Sequence, residues 1–141
     1  MGVAVAGAVA VVAVAGSASA ETRTQYVGNN CWSISPNLVD IPHNGSVTVS
    51  TDTARPGWFT LSGDSKSVFG YTTDLHVEWR NLDNGRTGSA DVTYRNSLAD
   101  SNGFWIRDLD SGPGRVQITT SGVTRGLLTI PVPACTGEVV I

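Results

Sequence analysis

The sequence predicts an all-β protein, an immunoglobulin-like antiparallel β-sandwich of about seven to nine strands preceded by a signal peptide. Apolar residues alternate with polar ones, and Gly, Asn, Asp and Pro interrupt them roughly every 8 to 15 residues. No stretch of the chain shows the apolar spacing of three and four that marks an amphipathic helix. Short strands between frequent turns are typical of sandwiches and barrels, and the length of residues 21–141 favours two packed sheets.

The strands follow from the turn signals in chain order. Three Asn-Gly dipeptides, Asn44-Gly45, Asn84-Gly85 and Asn102-Gly103, predict hairpin turns, because both residues tolerate the positive φ angles of a type I′ turn. Further breaks are expected at 56–57, 63–64, 111–114 and 121–122. The predicted strands are 24–27, 31–35, 46–51, 58–61, 75–82, 89–95, 104–107, 115–119 and 123–130. Pro131 and Pro133 flank the last of them and indicate an edge strand or an exit from the sheet.

The first 20 residues differ from the rest. Residues 2–16 read GVAVAGAVAVVAVAG, an uncharged run of small apolar residues. This run is short for a membrane span, which needs about 20 residues, but it suits the core of a secretory signal. Ala18-Ser19-Ala20 matches an A-x-A processing site, so residues 1–20 are predicted to be a signal peptide cleaved after Ala20. No basic residue precedes the run, which leaves an uncleaved N-terminal anchor open as the alternative.

Export changes the interpretation of the two cysteines, Cys31 and Cys135. In an oxidising compartment they favour one structural disulfide that joins the two ends of a single domain at 21–141. No CxxC occurs, and neither histidine lies near a cysteine in sequence, so a metal site or reactive thiol is disfavoured. The domain is expected to be secreted, extracellular or held at the cell envelope. Eight arginines against one lysine, with much Ala, Gly and Val, favour a bacterial source.

Charge narrows the classes of partner. Nine basic residues against 12 acidic ones give a formal charge of −3, and no basic stripe is visible. Nucleic-acid binding is therefore not expected, and neither is electrostatic attraction to an anionic membrane. No cofactor motif occurs, and the two histidines, His43 and His76, lack a third ligand at a zinc-like spacing. His43 falls in the Pro42–Gly45 turn, where we expect it to be exposed.

The most distinct predicted hairpin joins strands 75–82 and 89–95. A two-residue loop at Asn84-Gly85 would set the apolar residues of one strand opposite those of the other. The small Ala90 would then leave room for the Trp79 ring. The predicted pairs on that face are Trp79 with Ala90, Val77 with Val92 and Leu75 with Tyr94. The same register would set Glu78 opposite Asp91 on the polar face.

Three motifs suggest catalysis or metal binding, and each has a simpler structural interpretation. Glu78 opposite Asp91 could act as a carboxylate pair in a hydrolase, but an open sheet face gives no cleft that excludes water. Gly63-Asp64-Ser65 resembles a fragment around a serine nucleophile, yet no base or oxyanion hole accompanies it. Residues 100–103 and 108–110 offer oxygen ligands for calcium, but the loop spacing is wrong and turn chemistry explains them.

Aromatic residues provide the strongest binding signal. Trp58-Phe59 and Phe104-Trp105 each follow a turn, and neighbouring residues on a strand point to opposite faces. The two phenylalanines are in phase with Leu61 and Ile106, so they should face the core. Trp58 and Trp105 are therefore predicted to point outward, where an indole can stack on a sugar or anchor a protein partner.

These observations favour a secreted, non-catalytic binding or interaction module whose ligand is an unidentified protein or glycan. Trp58 and Trp105 are its candidate binding residues. Two alternatives stay open: a secreted inhibitor or toxin that acts on another protein, and a small hydrolase that uses Glu78, Asp91 or Ser65. The fold class does not separate them, because sandwiches serve many functions.

Overall fold

The computed structural model describes residues 20–28, 31–99 and 103–141. Within these ranges the chain forms strands without any helix, which confirms the all-β prediction. The predicted signal peptide before Ala20 and the oxygen-rich segment 100–102 lie outside the described residues. The strands are β1 (Thr22–Val27), β2 (Trp32–Ser33), β3 (His43–Asn44), β4 (Val47–Asp52), β5 (Trp58–Gly63), β6 (Tyr71–Asn81), β7 (Thr87–Asn96), β8 (Phe104–Asp110), β9 (Arg115–Arg125) and β10 (Thr129–Val140).

Two four-stranded antiparallel sheets form a sandwich-like body and do not close into a barrel. The first sheet has the order β1-β4-β5-β8, and the second has the order β10-β9-β6-β7. The short β2 and β3 make a separate two-stranded ribbon. The chain therefore changes sheets after β5, after β7 and after β8, so neighbouring strands in a sheet are often distant in sequence.

The core lies between the two sheets and follows from period-two alternation. Val49 and Leu61 of the first sheet and Val77 and Ile118 of the second are fully buried, while the residues between them on each strand are not. Such alternation is the pattern of a strand with one face on a core. Phe59 and Trp79 meet across the core edge to face, with ring centroids 5.7 Å apart.

The predicted register of the β6–β7 hairpin was wrong by two residues. Val77 pairs with Ala90, and Trp79 pairs with Gly88, not with Ala90. The loop is longer than the expected two residues, because Asn81 N–H donates to the Arg86 carbonyl and leaves residues 82–85 as the turn. A shift of two keeps every side chain on its predicted face.

The expected break at Ser121-Gly122 was also wrong, because β9 continues through both residues to Arg125. Gly122 lies against the backbone of Asp74 on β6, where a Cβ would overlap the Asp74 carbonyl oxygen. The glycine thus allows close approach of two strands. The actual turn is at 126–128, and β10 then carries both Pro131 and Pro133 on the edge of the second sheet.

A Cys31–Cys135 disulfide confirms the predicted pairing. The two Cα atoms are 5.9 Å apart and the cysteines are 104 positions apart in sequence. The bond joins the segment that leads into β2 to the middle of β10. The chain-entropy model gives about 4 to 5 kcal/mol of stabilisation for a closed loop of this size.

One end of the sandwich, which we call the polar end, contains the loops 53–57, 82–86 and 111–114. Its centre is Asn81, which is fully buried. The Asn81 Nδ2 atom lies 3.0 Å from the carbonyl oxygens of residues 111, 112 and 113, and Oδ1 accepts from the N–H groups of residues 83 and 84. This one side chain therefore joins the β6–β7 loop to the β8–β9 loop.

Gln25 of β1 joins the two sheets along one side. Its Nε2 atom donates to the Val140 carbonyl at 2.7 Å, and its Oε1 atom accepts from the Val140 N–H at 3.1 Å. The side-chain amide thus satisfies both backbone groups of one residue on the outer edge of β10.

Candidate binding face

Trp58 and Trp105 both lie on the outer face of the first sheet. Trp105 pairs with Ser62 on β5, and Trp58 pairs with Asp110 on β8. The neighbouring Phe59 and Phe104 are buried. The two indoles are separated by four residues along β5, so they do not form one contiguous patch.

The structure adds a third aromatic residue, Tyr26, to this face. Tyr26 pairs with Thr48, Thr48 pairs with Ser62, and Ser62 pairs with Trp105. These four residues make one cross-strand row whose two ends are exposed aromatic rings, 69% accessible for Tyr26 and 61% for Trp105. Three strand spacings separate the two ends, or about 14 Å.

The surface between the aromatic rings consists of hydroxyl side chains. Adjacent strands place Thr24 opposite Ser50 and Ser50 opposite Thr60. Serine and threonine hydroxyls both donate and accept hydrogen bonds. Thr48 and Ser62 therefore give an uncharged, hydrogen-bonding floor directly between two rings that can stack, and the other floor hydroxyls continue beside this row toward Asp52. The floor residues are Thr22, Thr24, Thr48, Ser50, Thr60 and Ser62.

One end of this face is charged and slightly concave. A depression of about 220 Å³ is lined by Asp52, Arg55, Trp58 and Asp108, together with floor hydroxyls. The Arg55 guanidinium carbon lies 4.7 Å from the centre of the Trp58 ring, and its Nη1 atom is 2.6 Å from Asp108 Oδ1. Trp58 is half-buried, and Arg55 covers part of its ring.

Glu78 does not face Asp91 across the β6–β7 hairpin. Glu78 pairs with Ser89, and Asp91 pairs with His76, because the hairpin register differs by two from the predicted one. His76 Nδ1 lies 2.6 Å from Asp91 Oδ1, and His76 Nε2 lies 3.5 Å from Glu78 Oε1. The hydrogen bond that the His76 ring donates to Asp91, aided by Glu78, raises the pKa of His76. A histidine thus separates the two carboxylates on an open sheet face.

His43 is fully buried, so the prediction of an exposed turn residue was wrong. It begins β3, and its Nδ1 atom lies 2.8 Å from Tyr71 Oη. Tyr71 Oη in turn lies 3.1 Å from Ser65 Oγ, which also accepts from the Asn44 N–H at 3.0 Å. Burial lowers the pKa of His43 to about 4.

Ser65 therefore belongs to a buried polar chain that runs through Tyr71 to His43. It is 4% exposed, and its backbone N–H donates to Asn96 Oδ1 at 3.2 Å. A serine that reacts as a nucleophile must reach a substrate, and this hydroxyl is enclosed by its own partners. Its contacts instead hold the β2–β3 ribbon against the second sheet.

Two further observations, on metal ligands and on membrane-spanning helices, apply to the residues that the structure describes. No group of three His, Cys, Asp or Glu side chains comes close enough there to hold a metal ion. The same residues contain no helix with the length and apolar composition needed to span a bilayer.

The sequence contained a usable signal for Tyr26. It lies one residue before Val27 in the predicted strand 24–27, and Val27 is buried. Strand alternation alone would have placed Tyr26 outward. What the sequence could not supply is the strand order, which puts Tyr26 and Trp105 on the same sheet at opposite edges.

Comparison with known proteins gives no relative: no protein-family model matches the chain, and no curated protein or solved structure matches it either.

Proposed function

We propose that this protein is a secreted, non-catalytic binding module that binds a glycan on the outer face of its first sheet. The observation that carries this proposal is the row from Tyr26 through Thr48 and Ser62 to Trp105. A sugar ring has an apolar CH face and a rim of hydroxyl groups. Exposed aromatic rings can stack on that apolar face, and serine and threonine hydroxyls can exchange hydrogen bonds with the rim.

The form of this face favours an extended chain of sugars over a single small ligand. The strands that carry the two rings are about 14 Å apart, and Thr48 and Ser62 lie between the rings without a charged side chain. The shallow depression beside Trp58 lies at one end of the floor and could receive one end of such a chain. Arg55 and Asp108 there offer charged hydrogen-bonding groups at the same position.

A binding role is favoured over catalysis by the arrangement of the candidate catalytic groups. Glu78 and Asp91 lie on either side of His76 on an open face of the second sheet. That face is on the opposite side of the sandwich from the aromatic row. Ser65 is enclosed in the chain of hydrogen bonds to Tyr71.

Our proposal extends to the class of fold and to export. The two four-stranded antiparallel sheets with connections between them support the immunoglobulin-like class. The apolar run at 2–16, the A-x-A site and the disulfide support a signal peptide at 1–20 and secretion to the outside or the cell envelope. Mass spectrometry of the exported protein would test cleavage after Ala20. A retained leader would contradict it.

Glycan-array binding by the wild-type chain and its variants tests the proposed face. We expect Tyr26→Ala and Trp105→Ala each to weaken binding about fivefold, because each removes one stacking ring worth roughly 1 kcal/mol. Trp58→Ala should have the smaller effect, since Arg55 already covers part of that ring. Trp32→Ala is the matched control, because Trp32 is an exposed indole outside the first sheet.

Two results would reject the proposal. One is binding to no glycan at all. The other is equal loss of binding in Trp32→Ala and Trp105→Ala. Retained affinity in the Tyr26→Ala, Trp105→Ala double variant would move the site elsewhere on the molecule.

A further inference from the structure

The two open sheets of the sandwich have four edge strands, β1, β8, β10 and β7. Three of them carry features that discourage pairing with a further strand. β10 contains Pro131 and Pro133, and β8 has a bulge before Leu109 in which Asp108 has a φ of 56°. β1 has only 6 residues. Prolines, bulges and short length are common means of closing an exposed edge, and β7 has none of them.

The β7 strand is regular along its whole length. Its 10 residues pair with β6 from Thr87 to Asn96 without a register shift. At the start of this ladder the Asn81 N–H donates to the Arg86 carbonyl. Because hydrogen-bonded pairs alternate along an antiparallel ladder, the even-numbered residues of β7 direct their backbone groups to β6. The odd-numbered residues of 87–95 direct theirs away from it, and no other backbone group of the described residues pairs with them.

The space between the two sheets is partly open on the β7 side. Tyr94 of β7 and Phe104 of β8 contact each other there, with ring centroids 5.0 Å apart. Ala90 and Val92 point inward from β7 but are only partly buried, whereas Val77 on the adjacent β6 is fully buried. A strand added to β7 would place its own inward side chains beside this partly exposed apolar strip and remove more of it from water.

The charges on β7 favour a second copy of the same strand as the partner. Asp91, Thr93 and Arg95 all direct backbone groups to the free edge, and their side chains are exposed. The Asp91 side chain is 80% exposed even though its Oδ1 atom contacts His76. The Arg95 guanidinium lies beside Gly70 and has no carboxylate partner among the described residues. Antiparallel pairing centred on Thr93 sets Asp91 of each copy opposite Arg95 of the other.

The geometry points to a symmetric dimer in which the free edge of β7 pairs antiparallel with β7 of a second copy, around a two-fold axis at Thr93. Unlike charges directly opposite each other stabilise a strand pair. A register centred on Asp91 would instead oppose two carboxylates, and one centred on Val92 would pair neither charge with its opposite. Two-fold pairing occupies the same edge in both copies, so the assembly closes at two chains. This inference is independent of the proposed glycan face, which lies on the first sheet.

Sedimentation of the full chain over a range of concentrations tests the dimer. Asp91→Arg opposes two cations at both symmetric contacts, so it should weaken the dimer about tenfold. Arg95→Asp opposes two carboxylates and should have the same effect. The variant with both substitutions restores unlike pairs and should recover most of the wild-type association. Glu78→Arg is the matched control, because Glu78 also lies near His76 on the outer face but belongs to β6, away from the free edge.

A local crosslink tests the register without relying on the charged pairs. A residue that pairs with its own counterpart across the axis has a Cα–Cα separation of about 5.5 Å, which suits a disulfide. Thr93→Cys should therefore give a covalent dimer under air oxidation. Ser89→Cys is the control, because Ser89 is an exposed residue of the same edge. In the proposed register it lies opposite Ser97 of the other copy, far from its own counterpart.

Three outcomes would overturn the inference. The first is a wild-type chain that stays monomeric at about 1 mM. The second is a dimer that tolerates both charge reversals as well as it tolerates Glu78→Arg, which would place the contact on another surface. The third is equal crosslinking of Thr93→Cys and Ser89→Cys. If a charge reversal lowers the melting temperature, the crosslink decides alone.

Discussion

Gly88 on β7 lies directly against the indole ring of Trp79 on β6, at a position where any Cβ would overlap the ring. Trp79 is 8% exposed and packs edge to face on Phe59, so the ring cannot move away without disturbing the core. Gly88 is therefore needed because the Trp79 ring occupies the space that a Cβ would take, and not because the backbone turns there.

Replacing Gly88 with alanine should destabilise the protein by about 1 to 3 kcal/mol, the usual range for overpacking a core. Chemical denaturation would measure the loss. The same substitution in a Trp79→Phe background should cost less, because the smaller ring leaves space for the methyl group. If Gly88→Ala costs the same free energy of unfolding in the Trp79→Phe background as in the wild-type chain, the ring is not the cause of the loss.

Asn81→Asp should destabilise the polar end by about 2 to 4 kcal/mol. The isosteric carboxylate cannot donate, so it would face the three carbonyl oxygens of residues 111–113 with no hydrogen to share. Urea unfolding gives the free-energy change. The control is Asn84→Asp in the adjoining loop, where the side chain is exposed and donates only to the Ser111 carbonyl. We expect that control to cost less than 1 kcal/mol, and an equal cost would refute the central role of Asn81.

Acid should weaken the fold well above the pH at which carboxylates are protonated. Burial lowers the pKa of His43 from 6.5 to about 4. Between these values the unfolded chain binds a proton that the folded chain does not, so the free energy of unfolding falls as the pH falls. The full effect is about 3 kcal/mol and is complete near pH 4. Urea unfolding across pH 7 to 4 would show this slope, and a flat profile would contradict it.

The pKa values of the two histidines should lie on opposite sides of the ordinary value of 6.5. His76 should titrate above 6.5, because Asp91 and Glu78 favour its protonated form. Its contribution to stability is present below pH 6.5 and disappears as the pH rises through the folded pKa. NMR titration of the imidazole carbons resolves both residues. Asp91→Asn should return the pKa of His76 toward 6.5 and leave His43 unchanged, and coincident titration of both rings would reject this electrostatic assignment.

The sequence predicted the faces of the strands more reliably than their partners. Trp79 and Val77 point into the core as alternation required, and Trp105 points outward. Register depends on loop length, and the Asn84-Gly85 dipeptide indicated a two-residue turn. The buried Asn81 instead organises a longer loop through its side chain, and a local dipeptide signal does not contain that contact.

Residues far apart in sequence explain the remaining differences. His43 was expected to be exposed because its neighbours Pro42 and Asn44 are turn residues, yet Tyr71, 28 positions away, gives it a buried partner. Tyr26 and Trp105 lie on the same sheet only because its strand order is β1-β4-β5-β8. Period-two patterns determine which way a side chain points, whereas strand order is a property of the whole chain.

The Gln25 amide has a consequence for self-association. Edge strands with unpaired N–H and C=O groups act as templates for aggregation. By engaging both backbone groups of Val140, Gln25 imitates an additional strand for one residue and shields that part of the β10 margin. Pro131 and Pro133 lack N–H groups further along the same strand. Together these features disfavour fibril-like stacking along this margin.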